Sequence, residues 1–230
     1  MATTPIVALD YSTESDALAM ARELGDRCRF YKVGSELFTT AGPSVVTALR
    51  EMGCEVFLDL KFHDIPNTVS KAVASAARLG VRLTTVHASG GEAMLAAAVA
   101  GAAGSNCGVL AVTVLTSLTE PEVAAAWGRA GGVDLSTDVL RLAAAASRAG
   151  AHGVVCSGLE AAAVRDRFGD RLAVLVPGVR MEGGATHDQS RVVTPQQAAA
   201  AGARYVVIGR AVTVAADPRT AMEHVAASLV

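Results

Sequence analysis

The sequence predicts an α/β chain folded as a (β/α)8 barrel of the TIM type, and three observations carry that expectation. Short apolar runs alternate with helix-patterned segments from one end of the chain to the other, eight times over. The apolar runs are rich in Val, Ile and Leu with little alternation, as expected of parallel strands covered on both faces. Several helical segments stop at a glycine (Gly25, Gly53, Gly80, Gly150, Gly202), a frequent helix terminus. A doubly wound open sheet is the structural alternative.

In chain order, strands are expected at residues 6–10, 30–34, 55–61, 83–87, 109–115, 153–157, 173–178 and 205–209. The first helix runs from a cap at Thr13 to about Leu24, with Asp16 three residues past the cap as in a capping box. Further helices are expected at 43–52, 66–79, 92–100, 135–149, 159–168, 195–201 and 218–227, with a shorter one at 120–127. Pro66, Pro195 and Pro218 stand where proline suits a first helical turn. Ala-rich patches at 96–103, 143–146 and 198–201 read as helix surface. No linker or low-complexity tract divides the chain, so residues 1–230 are expected to form a single domain.

Composition excludes several functions. The chain is 51% hydrophobic and 18% charged, which is globular rather than disordered. A net charge of -2 and 4% aromatics argue against nucleic acid or an anionic membrane as a partner. No apolar run reaches the ~20 residues of a membrane span, and the N-terminus enters a strand with no signal-like core. A cytoplasmic protein is expected. Cys28, Cys54, Cys107 and Cys156 are scattered and read as reduced, buried thiols rather than as a metal set.

The most informative stretch is Glu55-Val-Phe-Leu-Asp59-Leu-Lys61-Phe-His-Asp64-Ile-Pro-Asn-Thr68. It reads as a buried strand that ends in charge. By alternation Phe57, Asp59 and Lys61 share one face. Two carboxylates and an ammonium at the end of an apolar strand are costly to bury unless they pair. Other strands also end in polar groups: Asp10, Lys32, His87, Thr116, Ser157, Arg180 beyond Pro177, and Gly209-Arg210. In a parallel barrel these ends converge on one rim, where active sites lie. Arg180, Gln189 and Gly209-Arg210 read as an anion site, since glycine admits close backbone approach and Arg offers a planar fork to phosphate oxygens. The polar loop 178–190 is either an ordinary loop or a lid over a phosphorylated ligand. Ser157 has a plainer reading as a helix cap, and His87 as a hydrogen-bonded structural histidine.

Together, Leu9-Asp10, Lys32-Val-Gly34, Asp59-Leu-Lys61-Phe-His-Asp64-Ile-Pro-Asn-Thr68, Leu115-Thr116-Ser117, Pro177-Gly-Val-Arg180, Asp188-Gln189 and Gly209-Arg210 resemble the bacterial orotidine 5'-phosphate decarboxylase family. The resemblance covers essentially the whole chain. It implies decarboxylation of orotidine 5'-phosphate to UMP in pyrimidine biosynthesis, without metal or organic cofactor. It implies a charged array of Lys32, Asp59, Lys61 and Asp64, with Lys61 protonating the ring carbon and Asp59 against the departing carboxylate. It further implies a homodimer with shared sites, Asp64 and Thr68 reaching in from the partner. Asp10 and Lys32 would hold the ribose. Ser157 would meet the pyrimidine amide, Thr116 and Pro177 would line the base pocket, and Arg180, Gln189, Gly209 and Arg210 would grip the phosphate. Two unit charges ~4 Å apart at an effective dielectric of ~20 interact by about 4 kcal/mol, or roughly three powers of ten in rate if relieved at the transition state.

Two rival readings remain at this level. One is a Mg2+-dependent sugar-phosphate decarboxylase or aldolase of the same superfamily. Those enzymes resemble one another in carrying Glu where this chain has Lys32, a lysine that would repel the metal. Glu36 is the nearest acidic substitute. The other is a non-catalytic nucleotide-phosphate sensor, which would gain nothing from buried carboxylates.

Overall fold

The computed structural model of the chain describes residues 2–181 and 191–229. Among these, eight parallel strands close into a barrel in the order of the sequence: β1 (Thr4–Ala8), β2 (Phe30–Gly34), β3 (Glu55–Phe62), β4 (Leu83–His87), β5 (Gly108–Val112), β6 (Gly153–Val155), β7 (Ala173–Val176) and β8 (Tyr205–Ile208). The closing pair sets Thr4 against Tyr205 and Val7 against Ile208. The open-sheet alternative is thereby excluded.

The helices follow the expected positions closely: α1 (Glu14–Leu24), α3 (Ser44–Glu51), α4 (Pro66–Arg78), α5 (Glu92–Ala102), α6 (Glu120–Ala126), α7 (Leu135–Arg148), α8 (Gly158–Phe168), α9 (Pro195–Ala200) and α11 (Pro218–Ala227). Two short helices were not anticipated, α2 (Ser35–Ala41), which follows β2 directly, and α10 (Arg210–Thr213), which starts one residue beyond β8. The caps obey local chemistry. Thr13 accepts from the Asp16 amide at 3.2 Å, though Asp16 returns its carboxylate to the Thr13 hydroxyl rather than completing a capping box. Thr119–Glu122 and Thr194–Gln197 do form reciprocal boxes. No described helix is long and apolar enough to cross a membrane.

Two apolar layers hold the barrel. Outside, strand residues such as Val7, Val33, Val56 and Val154 pack against the helices. Inside, Ile6, Phe30, Phe57, Leu83, Leu110, Leu175 and Tyr205 fill the floor. Because strand side chains alternate, the inward column of each strand continues upward two residues at a time. Ile6 and Ala8 lead to Asp10, Phe30 to Lys32, Phe57 to Asp59, Leu83 to Thr85, and Tyr205 and Val207 to Gly209. The floor is apolar and the rim is polar, from one periodicity.

At the bottom, Gly108 lies so close to His152 that a Cβ there would stand 2.8 Å from the imidazole. His152 Nε2 sits 3.3 Å from the Tyr205 hydroxyl. Burial, then Arg82 and Arg204, hold His152 below its ordinary value of 6.5. Its neutral form is therefore the one that fits the fold. Stability from this group is fully present above pH ~6.5 and is lost as pH falls below it.

Leu110 is fully buried in the floor and Leu159 is 64% exposed on α8. Leu110→Ala should lower unfolding free energy by about 2–5 kcal/mol, and Leu159→Ala should change it by less than about 0.5 kcal/mol; urea titrations of both variants check this, and equal costs would mean the inner layer is not a packed core. In the same assay His152→Gln should lose less stability than the parent between pH 7 and pH 5, and an unchanged pH slope would contradict the direction assigned to His152.

Candidate active site

The rim encloses a cavity of about 280 Å³ at the C-terminal ends of the strands, with Ala8, Phe57, Val112, Val155, Leu175 and Val207 beneath it. Its charged wall comes from β1, β2 and β3. Lys32 Nζ is 2.8 Å from Asp10 Oδ1, and Lys61 Nζ is 2.8 Å from Asp59 Oδ2. Thus each lysine of the cavity wall is matched to one carboxylate. Asp59 is the more sheltered of its pair, its side chain 13% exposed against 37% for Lys61. Gly34 leaves the space that the first pair needs, since a Cβ there would come within 3.0 Å of Lys32 Nζ.

Asp59 and Lys61 are neighbours in the cavity, but simple alternation is not the reason. The β3–β4 ladder pairs Leu58 with Thr84 and next pairs Phe62 with Val86, so three residues of β3 stand against Thr85 alone. Within this bulge Lys61 has φ 51°, the sole positive φ outside glycine among the described residues. Lysine has no intrinsic reason to adopt that conformation, and such residues cluster at functional sites. Thr85, fully buried on β4, accepts from the Lys61 amide and donates to Asp59 Oδ1, both at 2.9 Å.

The rest of the lining comes from Leu115, Thr116 and Ser117 after β5, Pro177, Gly178 and Arg180 after β7, and Gly209 and Arg210 after β8, which closes the ring beside Asp10. These are apolar edges, hydroxyls and guanidinium groups, as a planar base and an anion would require. The backbone runs Arg180 N to Val193 O at 3.0 Å, which ties the two flanks of residues 182–190 together. Gln189 lies outside the described residues.

Three expected site residues are not in the cavity wall. Ser157 is fully buried; its hydroxyl accepts from the Leu159 amide as the cap of α8 and lies 3.4 Å from the Arg191 carbonyl. Its plainer reading is the one the geometry matches. Asp64 and Thr68 are exposed and are not among the residues lining their own chain's cavity, with Asp64 Oδ1 accepting from the Ile65 amide at 2.6 Å. Ile65 between them is 66% exposed. Glu36 also stands outside, exposed on α2 and accepting from Ser12 at 2.7 Å.

One buried charged pair near the rim went unread in the sequence. Glu160 and Arg191, thirty-one positions apart, form a buried pair at 2.7 Å, and Arg191 also donates to the Leu115 carbonyl at 3.3 Å. Burial raises the Glu160 carboxyl while Arg191 opposes the rise. His87 lies against His63 with ring centroids 5.3 Å apart. Burial, then His63 and Lys61, hold His87 below its ordinary value, which favours the neutral ring. The four cysteines are free and buried.

Comparisons with known proteins give the chain's family. Residues 3–225 match the family model described as Orotidine 5'-phosphate decarboxylase / HUMPS family. The orotidine 5'-phosphate decarboxylase of Sodalis glossinidius is 51% identical over 217 residues, covering 93% of this chain and 84% of that protein. The one from Nitrosococcus oceani is 46% identical over 227 residues, covering 97% and 96%. Among solved structures, orotidine 5'-phosphate decarboxylase from Lactobacillus acidophilus superposes with a TM-score of 0.86 at 37% identity, covering 100% of this chain and 99% of that one. On sequence and fold alike, the chain belongs to the orotidine 5'-phosphate decarboxylase / HUMPS family.

Proposed function

We propose that this chain is a carboxy-lyase that converts orotidine 5'-phosphate to UMP and CO2 in pyrimidine biosynthesis. The observation that carries the reading is the pairing at the rim: two lysine–carboxylate pairs that share one cavity with Arg180 and Arg210. Relatives of this degree of identity carry the same activity in their names.

In the proposed reaction Arg180, Arg210 and Gly209 hold the phosphate, with Gln189 assigned there by resemblance. Asp10 and Lys32 hold the ribose hydroxyls. Thr116, Ser117 and Pro177 border the base, so a pyrimidine amide would meet Thr116 or Ser117 in place of Ser157. The substrate carboxylate lies against Asp59. The C6–carboxylate bond breaks, its electron pair stays on C6, and CO2 leaves. Lys61 delivers a proton to C6 and regains one from solvent. Preorganised charge over an apolar floor is the arrangement in which such stabilisation is strongest. Binding energy from the remote phosphate serves to place the ring against this array.

The Mg2+ reading is not supported: Lys32 occupies the position, its partner is Asp10, and Glu36 is turned to Ser12. A sensor reading leaves both carboxylates of the wall without a purpose. We further propose a cytoplasmic homodimer of single-domain chains, 1–230, in which Asp64 and Thr68 complete the partner's cavity. Their exposure beside the apolar Ile65 supports this.

Purified protein should bleach the ultraviolet absorbance of orotidine 5'-phosphate equally with and without EDTA; loss of turnover on chelation would revive the metal-dependent reading. Lys61→Ala should lower kcat by at least about 10³-fold while UMP still binds in a calorimetric titration. Mixing Lys61→Ala with Asp64→Ala, each inactive alone, should restore up to about a quarter of parental activity, because half of the dimers are mixed and one of their two sites is intact. No recovery, with sedimentation showing a fully active monomer in the parent, would end the shared-site proposal.

A further inference from the structure

Thr85 is absent from every assignment above, yet it is the point at which the bulge of β3 is held. It stands alone on β4 against Asp59, Leu60 and Lys61. Lys61, at φ 51°, turns its amide out of the regular ladder. That amide finds its acceptor in Thr85 Oγ1 at 2.9 Å. A buried N–H without an acceptor would cost as much as a lost hydrogen bond or more. The same hydroxyl gives its single proton to Asp59 Oδ1 at 2.9 Å, and Asp59 Oδ2 receives Lys61 Nζ at 2.8 Å. The result is a closed ring: Thr85 to Asp59, Asp59 to the Lys61 ammonium, and the Lys61 backbone back to Thr85.

We infer that Thr85 is a positioning residue for the proposed decarboxylation, its hydroxyl holding both the Asp59 carboxylate and the left-handed Lys61 backbone in register with the substrate. This rests on the function proposed above. Thr85 is fully buried and does not line the cavity, so it acts through its neighbours and not on the substrate. A hydroxyl has one donor and accepting lone pairs, and both are used here in fixed directions. Serine can repeat this; valine, of the same shape, can do neither part.

The adjacent residue supplies the control. Thr84 is equally buried on the same strand, and its hydroxyl donates to the Leu58 carbonyl at 3.0 Å rather than to the charged pair. Thr84→Val therefore removes a buried hydrogen bond of the same kind without touching the ring.

Steady-state kinetics on orotidine 5'-phosphate and titration with UMP are to be run on the parent, Thr85→Val, Thr85→Ser and Thr84→Val. Thr85→Val should lower kcat by about 10–100-fold, the scale expected of a displacement of up to ~1 Å in a reacting group. UMP affinity and KM should stay within about twofold, because the ribose and phosphate contacts are untouched. Thr85→Ser should stay within about threefold of the parent in kcat, and Thr84→Val should keep its kcat while losing thermal stability. Should the valine variant fail to fold, Thr85→Cys, of similar volume and with only a weak donor, carries the same expectation. Full kcat in Thr85→Val, an equal loss in Thr84→Val, or a serine variant as slow as valine would overturn the inference. A parent with no turnover would instead overturn the function itself.

Discussion

The rest of the rim depends on the pairing of Asp59 with Lys61. A carboxylate sheltered to 13% exposure at the top of an apolar barrel cannot be left alone; it has to be hydrogen-bonded and neutralised, or give up its charge. Regular β-geometry would put a lysine two residues along on the same face but one full step higher. The bulge shortens that step. By setting three residues of β3 against one of β4, it folds Lys61 back so that its ammonium reaches Asp59 at 2.8 Å. The cost is an unfavourable backbone conformation at a lysine, offset locally by the hydroxyl of Thr85.

Stability and chemistry are stacked in one column. Below the site, Ile6, Phe30, Phe57, Leu83 and Leu110 form a packed floor that does not need the rim. Above it, each strand's next inward position is free to be polar. That division follows from the period of two along a strand, and explains why a barrel tolerates so many charged groups at one end. The floor also matters to the charges. With buried apolar side chains beneath them, the pairs act through a medium of lower effective dielectric than solvent, so their orientation counts for more.

Most of this architecture was legible in the residues. Short, mostly apolar or β-branched stretches between helical segments placed β2 and β4 to the residue, and proline at the first turn placed α11 fully. The strand β1 begins two positions earlier than expected, because its start is set by pairing with Tyr205 of β8, which no local pattern reports. Helices α2 and α10 are seven and four residues long and begin at a strand end or one residue beyond it, too short for a helical period to emerge. At the site, the strand-end charges were readable one by one. Asp59 and Lys61 were expected side by side, but through alternation rather than a bulge. Thr85 was unreadable, since threonine in a strand is ordinary and only its partners distinguish it. The Glu160–Arg191 pair was hidden for the opposite reason: its members look like surface charges on a helix and a loop.

The balance of charge at the rim separates recognition from reaction. Asp10 with Lys32 and Asp59 with Lys61 are each neutral as pairs, so they offer little long-range pull on an anion. In the proposed complex that pull belongs to Arg180 and Arg210, at the phosphate end and away from the bond that breaks. A wall built to bind an anion would have kept the lysines and dropped the carboxylates. With the carboxylates present, a substrate carboxylate approaching Asp59 meets a partner already satisfied by Lys61. As CO2 departs, negative charge moves to C6 and competes with Asp59 for the same ammonium. Lys61 then has two anions to serve, and the interaction with C6 grows only as the transition state forms, which is the kind of interaction that raises kcat rather than merely tightening binding.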